Sequence, residues 1–445
     1  MKYDAIVVGA GISGLLSALA LSKNRKRVLI IEKGRHIGGL ARSYDVEGYK
    51  VDIGPHAITA LEDGPLVKLM DEYFDIVPQF IPHEKYHVRT HDKFSDFPYT
   101  LKEWMMFDIL PRRDRLSLVQ AITKAMALTL TDGSNLKISV HDFMSDFTLS
   151  EKTLKFIDAI CPFLSGRSSK ETPLWRILRG SGYVEETKLG SREQFSRFTR
   201  LARHDGAHNQ CYPRGGVDAI VKSAEYSLPK NLVDIRLEEP VTSIHVEDGH
   251  VKGVGTSKDS YDSDMVVYSG YVKDLPNMVD SALPPEYVED LKRIKQTKAL
   301  SVWLGLKSKV KEFDYMGSEI WFEEGKPYWA MPTSNFDSQL APKGKQLVGF
   351  AFVIEDDIKK ERKSALDTIY NALPNIEKQV EMEHFQVAVP EKATPVIDGF
   401  IPSPKSPING LYLVGTDTNT NSMGITRASY SVLDCLKFMR EDGVL

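Results

Sequence analysis

Residues 5–22 constrain this chain more than any other stretch. Ala5-Ile-Val-Val8 is a β-branched run fit for a buried parallel strand, Gly9-Ala-Gly11-Ile-Ser-Gly14 follows directly, and Leu15 to Ser22 is a good helix former. Strand, tight turn and helix in that order open a dinucleotide-binding unit. Gly9 permits the turn, Gly11 lets the backbone approach a pyrophosphate at the helix N-terminus, and Gly14 lets the helix pack on the strand. A second strand, Arg27 to Ile31, ends at Glu32, where a carboxylate can accept hydrogen bonds from a ribose. An acidic residue there suits an unphosphorylated adenosine ribose and argues against NADP. The segment predicts an α/β fold with a site for FAD or NAD.

Other classes fall away on composition. The chain has 445 residues, room for two or three domains of about 150 residues each. Its 57 Lys and Arg against 61 Asp and Glu leave a net charge of −4, so no basic field exists for nucleic acid. Cys161, Cys211 and Cys435 are widely spaced and form no C-x-x-C, which predicts neither disulfides nor a cysteine zinc site and suits a cytoplasmic protein. Residues 5–22 are apolar enough to pass for a signal peptide, but their glycines serve the turn. No other stretch has the roughly 18 uninterrupted apolar residues of a spanning helix. Peripheral membrane contact stays open through Arg112 to Leu130, basic at its start and broadly apolar after it; a buried domain helix is the plainer reading.

The residues after Glu32 choose between the two cofactors. Gly38-Gly39-Leu-Ala-Arg42-Ser43, then Asp52-Ile-Gly54-Pro55-His56, resembles the extended fingerprint of the superfamily of flavin amine oxidases, protoporphyrinogen oxidases and phytoene desaturases. That resemblance implies FAD, with Gly38, Gly39 and Arg42 along its pyrophosphate and Gly54 near the isoalloxazine. It also implies a Rossmann-like domain of the glutathione-reductase type, with an inserted, discontinuous substrate domain of mixed sheet and helices. The chemistry agrees, since glycine amides and a guanidinium fork both suit phosphate. His56 is open to two readings, flavin contact or cap of its own turn.

The far end of the chain repeats the signal. Gly410 to Val414 reads as a strand, Gly415-Thr-Asp417 ends it, and Met423-Gly424-Ile425 leads into a helix to Phe438. This resembles the C-terminal FAD motif of the same superfamily and implies that Asp417 serves the ribitol, that Gly424 and Ile425 lie by the ring, and that Gly415 belongs to the cofactor-binding set. A helix N-terminus there would favour the charge of reduced flavin. Between the ends, Pro213-Arg-Gly-Gly216 resembles the element returning the chain to its FAD domain. Pro240 to Val254 reads as a β-hairpin, in which the resemblance puts Val241 against the adenine; an ordinary core position is the alternative. The expected FAD domain is 1–75, 206–275 and 396–445. The substrate domain is 76–205 and 276–395, helical over about 100–200, with strands near 298–306, 318–331 and 346–353.

Function follows less directly. Lys298 stands where amine oxidases of the superfamily hold a water against the flavin, and is a catalytic candidate beside His56; a surface lysine is the bland reading. Asn421-Ser422-Met423 replaces the aromatic cage of those oxidases. Phe143, Phe147, Phe156, Phe163, Trp175, Trp303, Trp321, Phe322, Tyr328, Trp329 and Phe350 suffice to line a large apolar cavity or to fill a core. The segments Phe94 to Pro98 and Pro213 to Gly216 look most like phytoene-desaturase-like proteins. The expected activity is hydride abstraction from a bulky apolar, isoprenoid or carotenoid-like substrate, with an unspecified electron acceptor. The alternatives are an amine or protoporphyrinogen-type oxidase using oxygen, a redox-neutral isomerase or sugar mutase, and a flavin-binding protein without catalysis. His83, His87 and His91 lie in extended sequence and His204 and His208 flank Asp205-Gly206, so no metal is expected.

Overall fold

The computed structural model describes residues 2–128, 134–180, 210–280, 282–355 and 357–445. One half is a parallel sheet of five strands in the order Val233–Arg236, Val28–Ile31, Ala5–Val8, Val266–Tyr268, Leu411–Leu413. The three central strands are buried along their whole length, as a parallel sheet covered on both faces requires. That is why they read as continuous apolar runs. On one face the helices Ile12–Lys23, Asp218–Tyr226 and Gly424–Glu441 close a core with Val7, Leu19, Ile30 and Val432. The other face packs Ile6, Leu29 and Val266 against the hairpin Val241–Glu247 and His250–Thr256. Each such Val, Ile or Leu contributes about 1.5–3 kcal/mol by leaving water.

The second half is a mixed sheet of seven strands in the order Val380–Glu391, Thr297–Leu306, Gln346–Ile354, Tyr328–Met331, Gly317–Trp321, Lys85–Arg89, Phe94–Asp96. All its pairings are antiparallel except Gly317–Trp321 with Lys85–Arg89. The strand expected over 318–331 is two strands joined through Gly325, whose φ of 72° is open to glycine at little cost. Helices Leu101–Met106, Arg112–Leu128, Val140–Ser145, Glu151–Ser165 and Leu174–Gly180 stand over one end of this sheet. Helix Glu151–Ser165 starts where the Ser150 hydroxyl accepts the Thr153 N–H, and stops at Gly166 in the left-handed conformation.

Two polar links fasten the Asp-x-Gly segment to the rest. Asp52, fully buried, accepts the Tyr212 hydroxyl at 2.6 Å, the Ser43 hydroxyl at 2.5 Å and the Val217 N–H at 3.0 Å. Gly54 donates its N–H to Gln386 Oε1 at 2.9 Å, an oxygen that also accepts from Trp303 Nε1 at 3.2 Å. Strand Tyr49–Asp52, the Pro213–Gly216 turn and the seven-stranded sheet are thereby held in one register.

Candidate active site

One cavity of about 1720 Å³ runs from the first glycine turn into the helices above the mixed sheet. Drug-sized ligands fill about 300–1,000 Å³, so this volume accommodates a dinucleotide and a further large molecule. Gly9, Gly11, Glu32, Gly39, Gly54, His56, Val241, Gly415, Gly424 and Ile425 all line it. Residues more than 400 positions apart in sequence thus meet on one surface.

The turn is shaped by backbone. Gly9 has a φ of 95°, and a Cβ on Gly14 would lie 2.0 Å from the Gly9 carbonyl oxygen. Only glycine fits there. The helix Ile12–Lys23 begins at Gly11 with no side chain capping it, which leaves its first amides for an anion. Gly38 bridges to Gly11, its N–H bonds the Ala10 carbonyl at 2.7 Å, and a Cβ on Gly39 would stand 3.0 Å from Gly11 Cα. The two glycine motifs are therefore one cradle. Glu32 closes it, with Oε2 accepting from Ala10 N and Oε1 from Gly34 N, both at 2.7 Å. A narrow amide cradle with a carboxylate at its end fits the pyrophosphate and ribose of FAD.

Several expected residues sit beside the cavity rather than on it. Gly14 packs beneath the turn. Gly38 and Arg42 are absent from the lining, and Arg42 Nε donates to the Gly39 carbonyl at 3.2 Å. Asp417 is buried behind Gly415 and Thr416, where Oδ2 accepts the Val272 N–H at 2.8 Å and Oδ1 has no hydrogen-bond partner among the described residues. Lys298 corrects an expectation. It is exposed, while its neighbours Thr297 and Ala299 line the cavity, because successive side chains of a strand point to opposite faces. Its side chain faces solvent and not the cavity.

His56 lines the cavity and also fixes its own turn, its Nε2 donating to the Ile53 carbonyl at 3.0 Å. Burial holds its imidazole below the ordinary pKa, against the opposing charge of Asp52. The ring is therefore neutral at pH 7.

A charged floor that no motif announces lies near the C-terminal motif. Glu391 and Arg427, both fully buried, form an ion pair at 2.5 Å. Glu391 Oε1 also accepts the Gly424 N–H at 2.7 Å, so a carboxylate already occupies the start of helix Gly424–Glu441 that was expected to face the flavin. Arg427 Nη2 and Arg176 Nη2 each donate to the Ser422 carbonyl at 2.7 Å. Next in sequence, Lys392 lines the cavity and donates to the carbonyls of Ser269 and Gly270, each at 2.8 Å. Burial pulls its pKa down and the Asp417 carboxylate pushes it back up. Glu391 ends strand Val380–Glu391 and Lys392 follows it, and neither carries a motif; two adjacent charges after the run Val380–Pro390 were the available signal.

The other end of the cavity is apolar. Leu118, Ala121, Ile122 and Ala125 of helix Arg112–Leu128 line it with Val140, Phe143, Phe156 and Ile160. That helix directs its apolar face inward. Of the aromatic residues singled out above, Phe143, Phe156, Phe163 and Trp329 reach the cavity, whereas Trp303, Trp321, Tyr328 and Phe350 are fully buried in sheet cores. Among the described residues no group of His, Cys, Asp or Glu is placed to hold a metal, and no helix is long and apolar enough to cross a membrane. His204 and His208 lie outside the described residues.

The family model described as flavin containing amine oxidoreductase matches residues 12–430, and the chain belongs to that family. It is an FAD-dependent oxidoreductase by that membership. Its sequence is 24% identical to a chloroplastic prolycopene isomerase of Daucus carota, over 98% of this chain and 79% of that protein. It is 25% identical to a 1-hydroxycarotenoid 3,4-desaturase of Flavobacterium sp., over 70% of this chain and 65% of that protein. The fold is shared with an oxidoreductase from Methanosarcina mazei, with a TM-score of 0.80 at 19% identity over 98% of this chain and all of that one.

Proposed function

We propose that this protein removes hydride from a bulky apolar substrate of isoprenoid or carotenoid type. The observation that carries the reading is the continuity of a nucleotide cradle with a large chamber walled by Leu118, Ile122, Phe143, Phe156 and Ile160. The carotenoid-acting relatives support it. Bound FAD would supply the hydride acceptor. Gly9, Gly11 and Gly39 would hold its pyrophosphate, Glu32 its adenosine ribose, and Val241 its adenine, with Gly38 and Arg42 bracing the cradle from beside it. Gly415 and Asp417 would serve the ribitol, with Gly54, Gly424 and Ile425 near the ring. The cofactor-binding domain would be 1–75, 206–275 and 396–445, and the substrate domain the remainder.

The apolar walls orient the substrate and exclude water, and neutral His56 presents no charge to a hydrocarbon. Met105, Met106 and Leu116 are exposed on two packed helices beside Arg112 and Arg113, which supports peripheral contact with a membrane that stores such substrates. The test is anaerobic bleaching of the flavin band at about 450 nm by isoprenoid lipids, against a panel of amines and porphyrinogens. Bleaching by the lipids alone is expected; bleaching by amines or porphyrinogens alone would overturn the substrate. A redox-neutral isomerisation is the second reading, favoured by the isomerase relative matched over 98% of this chain. It predicts turnover only with prereduced flavin and no net bleaching.

A further inference from the structure

In the sheet wall of the cavity sits a polar group of four side chains that the reaction above does not use. Tyr86, on strand Lys85–Arg89, and Gln210, at the start of strand Gln210–Pro213, both line the cavity. The Tyr86 hydroxyl donates to Gln210 Oε1 at 2.5 Å. Behind them, Ser318 is the cross-strand partner of Tyr86. Ser318 Oγ in turn meets His83 Nε2 at 2.7 Å, and both residues are fully buried. The main chain completes the ring, because the His83 N–H bonds the Gln210 carbonyl at 2.9 Å.

The arrangement is rigid. His83 packs on Tyr86 with ring centroids 4.8 Å apart and stacks on Phe336 at 5.9 Å. Gln210 is held by its amide oxygen, while its NH₂ group donates to nothing among the described residues. Polar groups in apolar surroundings cost free energy unless each finds a partner. A wall needed only to contact hydrocarbon would be cheaper in Phe and Leu. The half-buried Gln210 amide therefore faces the cavity with its NH₂ group available to a bound molecule.

We infer that Gln210, held by Tyr86, binds an oxygen at one end of an otherwise apolar substrate, so that the substrate class is a monopolar isoprenoid, an alcohol or ketone, rather than a hydrocarbon. This rests on the apolar-substrate reading above and narrows it. Tyr86 and Gln210 determine specificity; Ser318 and His83 are positioning residues that act through Tyr86.

The test titrates the FAD-loaded protein with a diterpenoid alcohol and, separately, the hydrocarbon of the same skeleton, following perturbation of the flavin spectrum. One hydrogen bond to a neutral group corresponds to about tenfold in affinity, so the alcohol is expected to bind about tenfold tighter. Gln210→Leu and Tyr86→Phe should each bring that ratio toward one with FAD content unchanged. Equal affinity of the two compounds for the native protein, or a preference that both variants keep, would overturn the inference and leave the apolar reading standing. Failure of both compounds to perturb the flavin would overturn the two together.

Discussion

At its nucleotide end the cavity is walled by backbone, and at its helical end by side chains. Gly9, Gly11, Gly38 and Gly39 shape the first with amides and missing Cβ atoms; Leu118, Ile122, Phe143 and Phe156 shape the second with interchangeable apolar bulk. Backbone geometry tolerates almost no substitution, because a clash with a carbonyl cannot be relieved by a rotamer change. Apolar bulk tolerates substitution as long as volume is kept. The same chain can therefore keep one cofactor while its substrate end varies.

The sharpest way to break this contrast is Gly14→Ala. Its new Cβ would meet the Gly9 carbonyl oxygen at 2.0 Å, so the helix must move off the strand, at a cost of about 1–3 kcal/mol or more. Flavin content, read as the ratio of flavin to protein absorbance, should fall by roughly tenfold or more. Retention of full flavin would show that the cradle is not set by that contact.

At the opposite end, Phe156→Ala should leave flavin content intact and lower stability. Phe156 is fully buried against Phe97, Trp104, Phe107 and Phe322, and such a truncation costs about 3–5 kcal/mol. Because one side of the ring already faces the chamber, the lower figure is expected in urea unfolding. Loss of FAD from this variant would mean that the two ends are not independent.

Glu32→Ala probes the one nucleotide-end side chain that backbone cannot replace. It removes acceptors from Ala10 and Gly34 and from the proposed ribose contact. Hydrogen bonds to charged groups contribute about 1.5–3 kcal/mol, so FAD should dissociate at least tenfold more readily in equilibrium dialysis. Unchanged retention would count against the ribose assignment.

These effects track how much the sequence disclosed. The cradle was legible because its residues are consecutive and each answers to a fixed backbone requirement, as Gly9 and Gly14 do. The substrate end was not, because its lining comes from helices and strands scattered between residues 86 and 353. Phe156 and Phe350 look alike in sequence, yet one faces the chamber and the other the interior of the sheet. Glu391 and Lys392 announce themselves by no motif, and only the return of their strand to the nucleotide domain gives them a role. The Gly424 N–H carries a further lesson, since no motif discloses that Glu391 has already taken its amide.

Acid sensitivity tests the polar wall at its core. Burial pushes His83 from the ordinary imidazole value to about 3. A group whose folded pKa is depressed binds its proton first in the unfolded chain, so stability is full above about pH 6.5 and is lost as pH falls toward about 3. At pH 5 the loss is about 2 kcal/mol. His83→Gln, which cannot titrate, should flatten this part of the profile by that amount in unfolding measured from pH 8 to pH 5 (about that range). An unchanged profile would place the acid-labile group elsewhere.

The smallest expected effect is the most informative about strand alternation. Lys298 is exposed, and Thr297 and Ala299 on either side face the cavity. Within strand Thr297–Leu306 the next residues are buried on both faces, so periodicity in the sequence could not say which face Lys298 takes. If the register with Ile354 and the alternation hold, Lys298→Met removes only a solvated charge. Stability should then change by less than about 0.5 kcal/mol, and reoxidation of reduced flavin by oxygen should proceed at the native rate in stopped flow. A slowed reoxidation would require the lysine on the inner face, and with it a shift of the strand by one residue that would turn Thr297, Ala299 and Ser301 away from the cavity they line.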